Sequence, residues 1–171
     1  AAASLLLLNL ALAGSFFTIL LRSPFKLLFA LLGIAGLACY GLEILAILRA
    51  RKRRSLDWGL KYFLTALALL LPLAGLAALL CWPSLPLTPL TGQLENLYGF
   101  LAFAGVVSFA IMGMLYKILP FLAWFRSYSP HIGRSKVPSL ADLYSPRVQA
   151  AGYWSYLAGL GLTSAGIVLG H

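Results

Sequence analysis

The stretch GMLYKILPFLAWFRSY, residues Gly113 to Tyr128, ends a long apolar run with a lysine, a proline three residues later and an aromatic, basic tail. An isolated lysine within an apolar helix of membrane length is costly, so Lys117 is a candidate functional residue. The tail is typical of a helix that leaves a bilayer, because amphipathic aromatic rings favour the membrane interface. The stretch therefore predicts a membrane-spanning helix and, with it, an all-α fold.

The composition extends this interpretation to the whole chain. Apolar residues make up 61% of the sequence and charged residues 10%, whereas about a quarter of the residues in a soluble domain are charged. A membrane-spanning helix needs roughly 20 apolar residues. Five segments satisfy this requirement and predict a single domain, residues 1–171, built as a bundle of about five transmembrane helices. These segments are about 1–21, 27–48, 59–82, 96–121 and 149–170.

The ends of the chain and its cysteines set two further expectations. The chain carries no initiator methionine, and its first residue already belongs to an apolar segment, so we expect a processed or trimmed form or a fragment of a longer protein. Cys39 and Cys81 fall in different predicted helices, and the sequence has no CxxC motif and no cluster of cysteine and histidine. A disulfide framework or a zinc site is therefore not expected.

Basic residues are distributed unevenly among the connections between the predicted helices. One side of the membrane collects eleven of them and the other side two, Arg22 and Lys26. Because positive residues accumulate in cytoplasmic connections, we expect a cytoplasmic N-terminal end and a C-terminal end outside. The net charge of +9 is explained by these short connections, so a nucleic-acid partner is not expected. The eleven residues are Arg49, Arg51, Lys52, Arg53, Arg54, Lys61, Lys117, Arg126, Arg134, Lys136 and Arg147.

A basic run directly follows the second predicted helix. Its residues are Arg49, Arg51, Lys52, Arg53 and Arg54. Such a run fixes the orientation of the chain, or it contacts anionic lipid head groups, with each basic residue near the surface contributing about 1 kcal/mol. Both interpretations place it against the surface of a lipid bilayer.

Two charges of opposite sign lie in otherwise apolar helices. Glu43, in the second predicted helix, and Lys117, in the fourth, lie at similar depths from the cytoplasmic side, so we expect them to pair. The pair is either a proton or ion relay or a structural ion pair whose side chains reach the interface. Pro120 removes the hydrogen bond to the carbonyl of Tyr116 and predicts a kink in the same helix.

Four residues are candidate ligands for haem or a metal ion. His131 and His171 lie on opposite sides of the membrane, about 30 Å apart, so one haem cannot use both. Met112 and Met114 are alternative axial ligands, although methionine in a helix is more often a packing residue. We expect haem only with ligands from a partner or from a missing segment, and no catalytic activity in this chain alone.

Small residues recur at every fourth position of the last predicted helix. They are Ala151, Ser155, Gly159 and Thr163. Small residues at this spacing allow two helices to approach closely. The stripe therefore predicts a packing face, by default inside the chain and otherwise against a partner subunit.

Three stretches resemble a known group of proteins. RKRRSLDWGLKY, GMLYKILPFLAWFRSYS and KVPSLADLYSP lie between Arg49 and Pro146, and this part is similar to bacterial polytopic proteins related to haem–copper oxidase subunit I or of the NnrS type. The resemblance implies the bacterial inner membrane and a respiratory or nitrogen-oxide setting. The metal ligands of the oxidase relatives are histidines inside helices, and this sequence has none at interior positions, so no active site is transferred.

These observations leave three hypotheses for the function. The first is a non-catalytic integral membrane subunit of a respiratory or other electron-transfer complex, with the bilayer and other membrane subunits as partners. The second is a small transporter or channel component that uses Glu43 and Lys117. The third is a haem-binding membrane protein completed by histidines of a partner.

Overall fold

A computed structural model describes residues 2–21, 23, 25–51, 56–131, 137–139 and 143–170. Every regular element in these ranges is helical, which confirms the prediction of an all-α chain. A π-helical segment, Leu101–Val107, joins the fourth helix to the fifth without a break. The six α-helices are α1 Ala2–Leu20, α2 Lys26–Ala50, α3 Trp58–Leu80, α4 Pro89–Phe100, α5 Ser108–Tyr128 and α6 Pro146–Leu169, with a short 3-10 turn at Ser129–His131.

Four stretches of the described chain are long and apolar enough to cross a membrane: α1, α2, α3 and the continuous helix Pro89–His131. This agrees with the predicted lipid environment. The helix α6 is not among the four, because glycine, serine and tyrosine dilute its aliphatic residues. The predicted segment 96–121 lies inside the continuous helix, which starts earlier because Pro89 occupies its first turn and the Thr88 hydroxyl accepts a hydrogen bond from the Thr91 amide.

The helices form a bundle and an attached hairpin. The bundle contains α3 packed along α5, with α6 on α4 and with smaller contacts from α6 to α3 and to the π-helical segment. The hairpin consists of α1 and α2. Among the described elements α1 packs on α2 alone, and α2 in turn reaches α3.

Two glycines allow α3 and α5 to cross with their backbones in contact. A Cβ atom added to Gly113 would lie 2.7 Å from the carbonyl oxygen of Gly59 and 3.0 Å from the amide nitrogen of Phe63. A Cβ atom on Gly59 would lie 2.8 Å from the carbonyl oxygen of Gly113. Since real Cβ atoms do not approach backbone atoms so closely, only glycine fits at this crossing, as at other close helix contacts in membrane proteins.

The π-helical segment has two side-chain partners for its carbonyl groups. The Ser108 hydroxyl donates to the carbonyl of Phe103 at 3.0 Å, and the Tyr156 hydroxyl of α6 donates to the carbonyl of Ala104 at 2.7 Å. A π turn inserts an extra residue into an α-helix and displaces its regular hydrogen bonds. These two hydroxyls therefore donate to carbonyl groups in the part of the helix where the regular backbone hydrogen bonds are displaced.

The core of the bundle lies between α3, the helix Pro89–His131 and α6. Its two largest fully buried side chains, Tyr62 and Phe109, are in contact with each other. The buried core consists of Tyr62, Ala66, Leu97, Leu101, Phe109 and Leu160.

Candidate functional site

Tyrosines from three helices meet at the buried centre of the bundle. The Tyr62 ring of α3 lies 5.0 Å from the Tyr116 ring of α5 and 5.1 Å from the Tyr153 ring of α6, measured between centroids. Phe109 packs edge-on against Tyr156, with centroids 5.0 Å apart. Such arrangements are favourable for aromatic pairs, and they hold α3, α5 and α6 together. We call Tyr62, Tyr116, Tyr153 and Tyr156 the tyrosine cluster.

Hydroxyl groups of these tyrosines find partners on neighbouring helices. Tyr153 and Thr65 share a hydrogen bond of 2.7 Å, and the Tyr62 hydroxyl donates weakly to the carbonyl of Gln149 at 3.5 Å. The cluster contains no carboxylate, imidazole or thiol, and therefore no group that transfers protons near neutral pH. Its hydrogen bonds and ring contacts join α3, α5 and α6 in a polar, aromatic core.

The cation of Lys117 has a partner other than the predicted Glu43. Its Nζ atom lies 3.7 Å from Oδ2 of Asp57, and the two side chains are 51% and 49% exposed. Glu43 is on α2, which has no Cα atom within 8 Å of α5. The physical reason is the glycine crossing: Lys117 lies one turn beyond Gly113 and therefore faces the start of α3.

We expect a small coupling between Asp57 and Lys117. The variants Asp57→Asn and Lys117→Met, measured singly and together by unfolding in detergent, are expected to give a coupling free energy of about 0.2–1 kcal/mol, because a half-exposed pair gains little. The matched control is the cycle of Glu43→Gln with Lys117→Met, which is expected to be additive. A larger coupling in the control cycle would contradict this assignment.

The helix α5 continues through Pro120 to Tyr128, so the proline does not end it. Beside this proline lies an open groove of about 390 Å³, which we call the Pro120 groove. It is formed by one face of α5 and by the segment that enters α6. Its lining residues are Leu115, Tyr116, Leu119, Pro120, Ala123, Leu143, Tyr144, Ser145, Val148 and Gln149.

The candidate haem and metal ligands that the structure describes do not come together. His131 is exposed at the end of the 3-10 turn, and His171 lies outside the described residues. Met112 packs against the hydrophobic core, while Met114 is exposed. No group of three or more histidine, cysteine, aspartate or glutamate side chains that suits a metal ion occurs in the described ranges. Among His131, Met112 and Met114, no two residues are placed to ligate one haem.

The stripe of small residues on α6 faces outward. Ala151, Ser155, Gly159 and Thr163 are all exposed, and a Cβ atom on Gly159 would meet nothing within 4 Å. The interpretation as a packing face inside the chain is therefore wrong. The inward side of α6 carries larger residues, among them the buried Leu160, which fill the bundle core.

Part of the basic run after α2 is described. Arg49 is exposed in the last turn of α2, and Arg51 follows as a half-buried residue. Lys52, Arg53 and Arg54 lie outside the described residues.

Sequence reasoning missed Asp57, the π-helical segment and the tyrosine cluster. Asp57 lies two residues before the predicted helix 59–82 and was given no partner. The tyrosines carried an available signal, since Tyr116, Tyr153 and Tyr156 place hydroxyl groups within apolar helices, where each hydroxyl needs a partner. No residue type in LAFAGVV, residues 101–107, signals a π turn.

Comparison with known proteins gives no relative: no family model matches the chain, and no curated protein or solved structure matches it significantly.

Proposed function

We propose that this chain is a non-catalytic integral membrane subunit of a larger assembly, in a respiratory or other electron-transfer complex. One observation carries the proposal: side chains fill the interior of the bundle, with the tyrosine cluster and Phe109 at its centre. A filled core suits a subunit that positions other helices. The respiratory setting rests on the resemblance of the region Arg49 to Pro146.

The filled core also argues against the transporter hypothesis. That hypothesis required Glu43 and Lys117 to act together within the membrane, whereas Lys117 contacts Asp57 at the half-exposed start of α3. A relay through the interior would need titratable groups there, and the tyrosine cluster offers only phenols, whose usual pKa is about 10.

We further propose that α6 is the fifth transmembrane helix of a bacterial inner-membrane protein. Its 24 residues span about 36 Å as an α-helix, enough for the roughly 30 Å hydrocarbon layer. The basic connections then lie in the cytoplasm, as does the N-terminal end. Cysteines introduced at Ser55 and Ser135, both outside the described residues, test this orientation, since labelling of both by an impermeant reagent in intact cells would reverse it.

The proposed role is tested by isolating the chain with its natural partners. Mass spectrometry of the natively purified complex is expected to identify further membrane subunits of an electron-transfer system, and a pyridine haemochrome spectrum to locate any haem in those partners. Isolation of the chain alone after mild extraction and cross-linking would contradict the proposal. Ion or solute flux in proteoliposomes that contain only this chain would favour the transporter hypothesis instead.

The outward stripe of α6 gives a specific prediction. Gly159→Leu is expected to leave the fold of the chain unchanged, because nothing lies within 4 Å of that position, and to reduce its association with a partner helix several-fold, because leucine prevents close approach. The matched control is Gly161→Leu, which also has open space but lies on another side of α6. Blue-native electrophoresis measures association, and equal effects of the two variants would contradict a role for the stripe.

A further inference from the structure

The Pro120 groove lies on the outside of the bundle and is almost entirely apolar. Leu115, Leu119, Ala123 and Val148 are exposed along it, and its volume of about 390 Å³ falls in the range of small-molecule sites, about 300–1,000 Å³. In a protein whose helices cross a bilayer, this surface meets acyl chains. Its shape, a recess between two helices, separates it from the convex faces around it.

The groove has the length and direction of a segment of an acyl chain. It follows α5 from Leu115 to Ala123, a distance of about 12 Å at 1.5 Å per residue. A groove that follows a membrane-spanning helix runs roughly parallel to the surrounding lipid chains. The occupant that suits this shape is therefore linear and apolar over its length.

One end of the groove lies at the expected level of the membrane interface. Trp124 directly follows the lining residue Ala123, and its indole donates a hydrogen bond of 2.8 Å to the carbonyl of Pro138 in the connection to α6. Tryptophan in this position is typical of the interface between hydrocarbon and head groups. The head group of a bound lipid would therefore meet the groove at this end.

Two exposed arginines adjoin lining residues of the groove. Arg126 lies three residues after Ala123 on α5, and hence near the same face of that helix. Arg147 precedes the lining residue Val148 in the first turn of α6, and both arginines are exposed. Lys117 is already paired with Asp57, and Asp142 lies outside the described residues. The described charges beside the lining residues Ala123 and Val148 are thus positive and complement an anionic head group.

We propose that the Pro120 groove binds one anionic phospholipid of the bilayer, with an acyl chain along α5 and the phosphate at Arg126 and Arg147. The inference requires a membrane environment but not the role in an electron-transfer complex.

The experiment is native mass spectrometry of the full chain in detergent, with phosphatidylglycerol or phosphatidylcholine that carries the same acyl chains. We expect one phosphatidylglycerol molecule to be retained with roughly tenfold or greater preference, because two basic residues near a head group favour negative charge. Free sn-glycerol 3-phosphate, which lacks the chains, is not expected to displace it.

Two variants and one control locate the site. Ala123→Trp fills the groove, and the double variant Arg126→Gln with Arg147→Gln removes its charge. Both are expected to lose the retained lipid and to keep the circular dichroism of the parent, since the three positions are exposed. Lys26→Gln, at an exposed basic residue at the start of α2 and outside the groove, is expected to bind as the parent does.

Equal retention of the two phospholipids would overturn the proposal, because it would indicate apolar adhesion without recognition of charge. Full retention in Ala123→Trp, or equal losses in the arginine double variant and in Lys26→Gln, would place the lipid elsewhere. Displacement by sn-glycerol 3-phosphate would show a phosphate site that needs no acyl chain. Photo-cross-linking from position 123 to a protein helix rather than to lipid would also refute the assignment.

Discussion

Replacing Gly113 with alanine is expected to destabilise the protein by about 1–3 kcal/mol, the usual cost of forcing atoms into a packed site. The added Cβ atom would lie 2.7 Å from the carbonyl oxygen of Gly59. This oxygen belongs to the backbone and cannot rotate away, so α3 and α5 must move apart. The movement would also separate Lys117 from Asp57.

The same substitution at Gly75 is the matched control. Gly75 lies inside α3, and a Cβ atom there would meet nothing within 4 Å. Alanine is about 0.5–1 kcal/mol better than glycine within a helix, so Gly75→Ala is expected to be neutral or stabilising. Unfolding of both variants in mixed detergent micelles measures the difference. Equal free energies of unfolding would show that the crossing is not tight.

Replacing Phe109 with alanine is expected to cost about 2–3 kcal/mol. Phe109 is 0% exposed, and in soluble cores this substitution costs about 3–5 kcal/mol, part of it for transfer out of water. The cost of transfer is small here, because the side chain moves into lipid and not into water when the helices separate. The remaining cost is the cavity left beneath Tyr62 and Tyr156.

Phe103→Ala is the control for this variant. Phe103 belongs to the same continuous helix but is 75% exposed, so its truncation leaves no cavity and is expected to change the free energy of unfolding by less than about 0.5 kcal/mol. Thermal unfolding of the two variants in the same detergent provides the comparison. A similar loss in both would mean that the aromatic core contributes little.

The helices of this fold were predictable because their signals are local. Apolar runs of membrane length gave the first three helices to within two residues at each end. The fourth predicted segment, 96–121, was too short at both ends. The observed helix starts earlier because Pro89 is favourable in a first helical turn, and it extends further because Pro120 does not end α5.

The partners of the helices were not predictable, because a bilayer removes the usual difference between inner and outer faces. In water an apolar face indicates the core, whereas here lipid-facing and buried positions are both apolar. The stripe with Gly159 was therefore assigned to the interior although it faces outward. Lys117 was paired with Glu43 because the two residues lie at similar depths in the membrane. The crossing at Gly59 and Gly113 instead places Lys117 beside Asp57. The candidate lipid site lies between α5 and the segment that enters α6, and it had no signal in the sequence.

The π-helical segment Leu101–Val107 is the place where the continuous helix can change its length by one residue. An α-helix turns by about 100° per residue, but a π turn takes up one extra residue within its wider turn, so deletion of one residue there would restore a regular α-helix and leave the orientation of the residues after it nearly unchanged. Gly113 would then still meet Gly59, whereas the same deletion between Ser108 and Gly113 would turn a different face of α5 toward α3. Relatives of this chain should therefore accept the loss of one residue within Leu101–Val107 more readily than between Ser108 and Gly113.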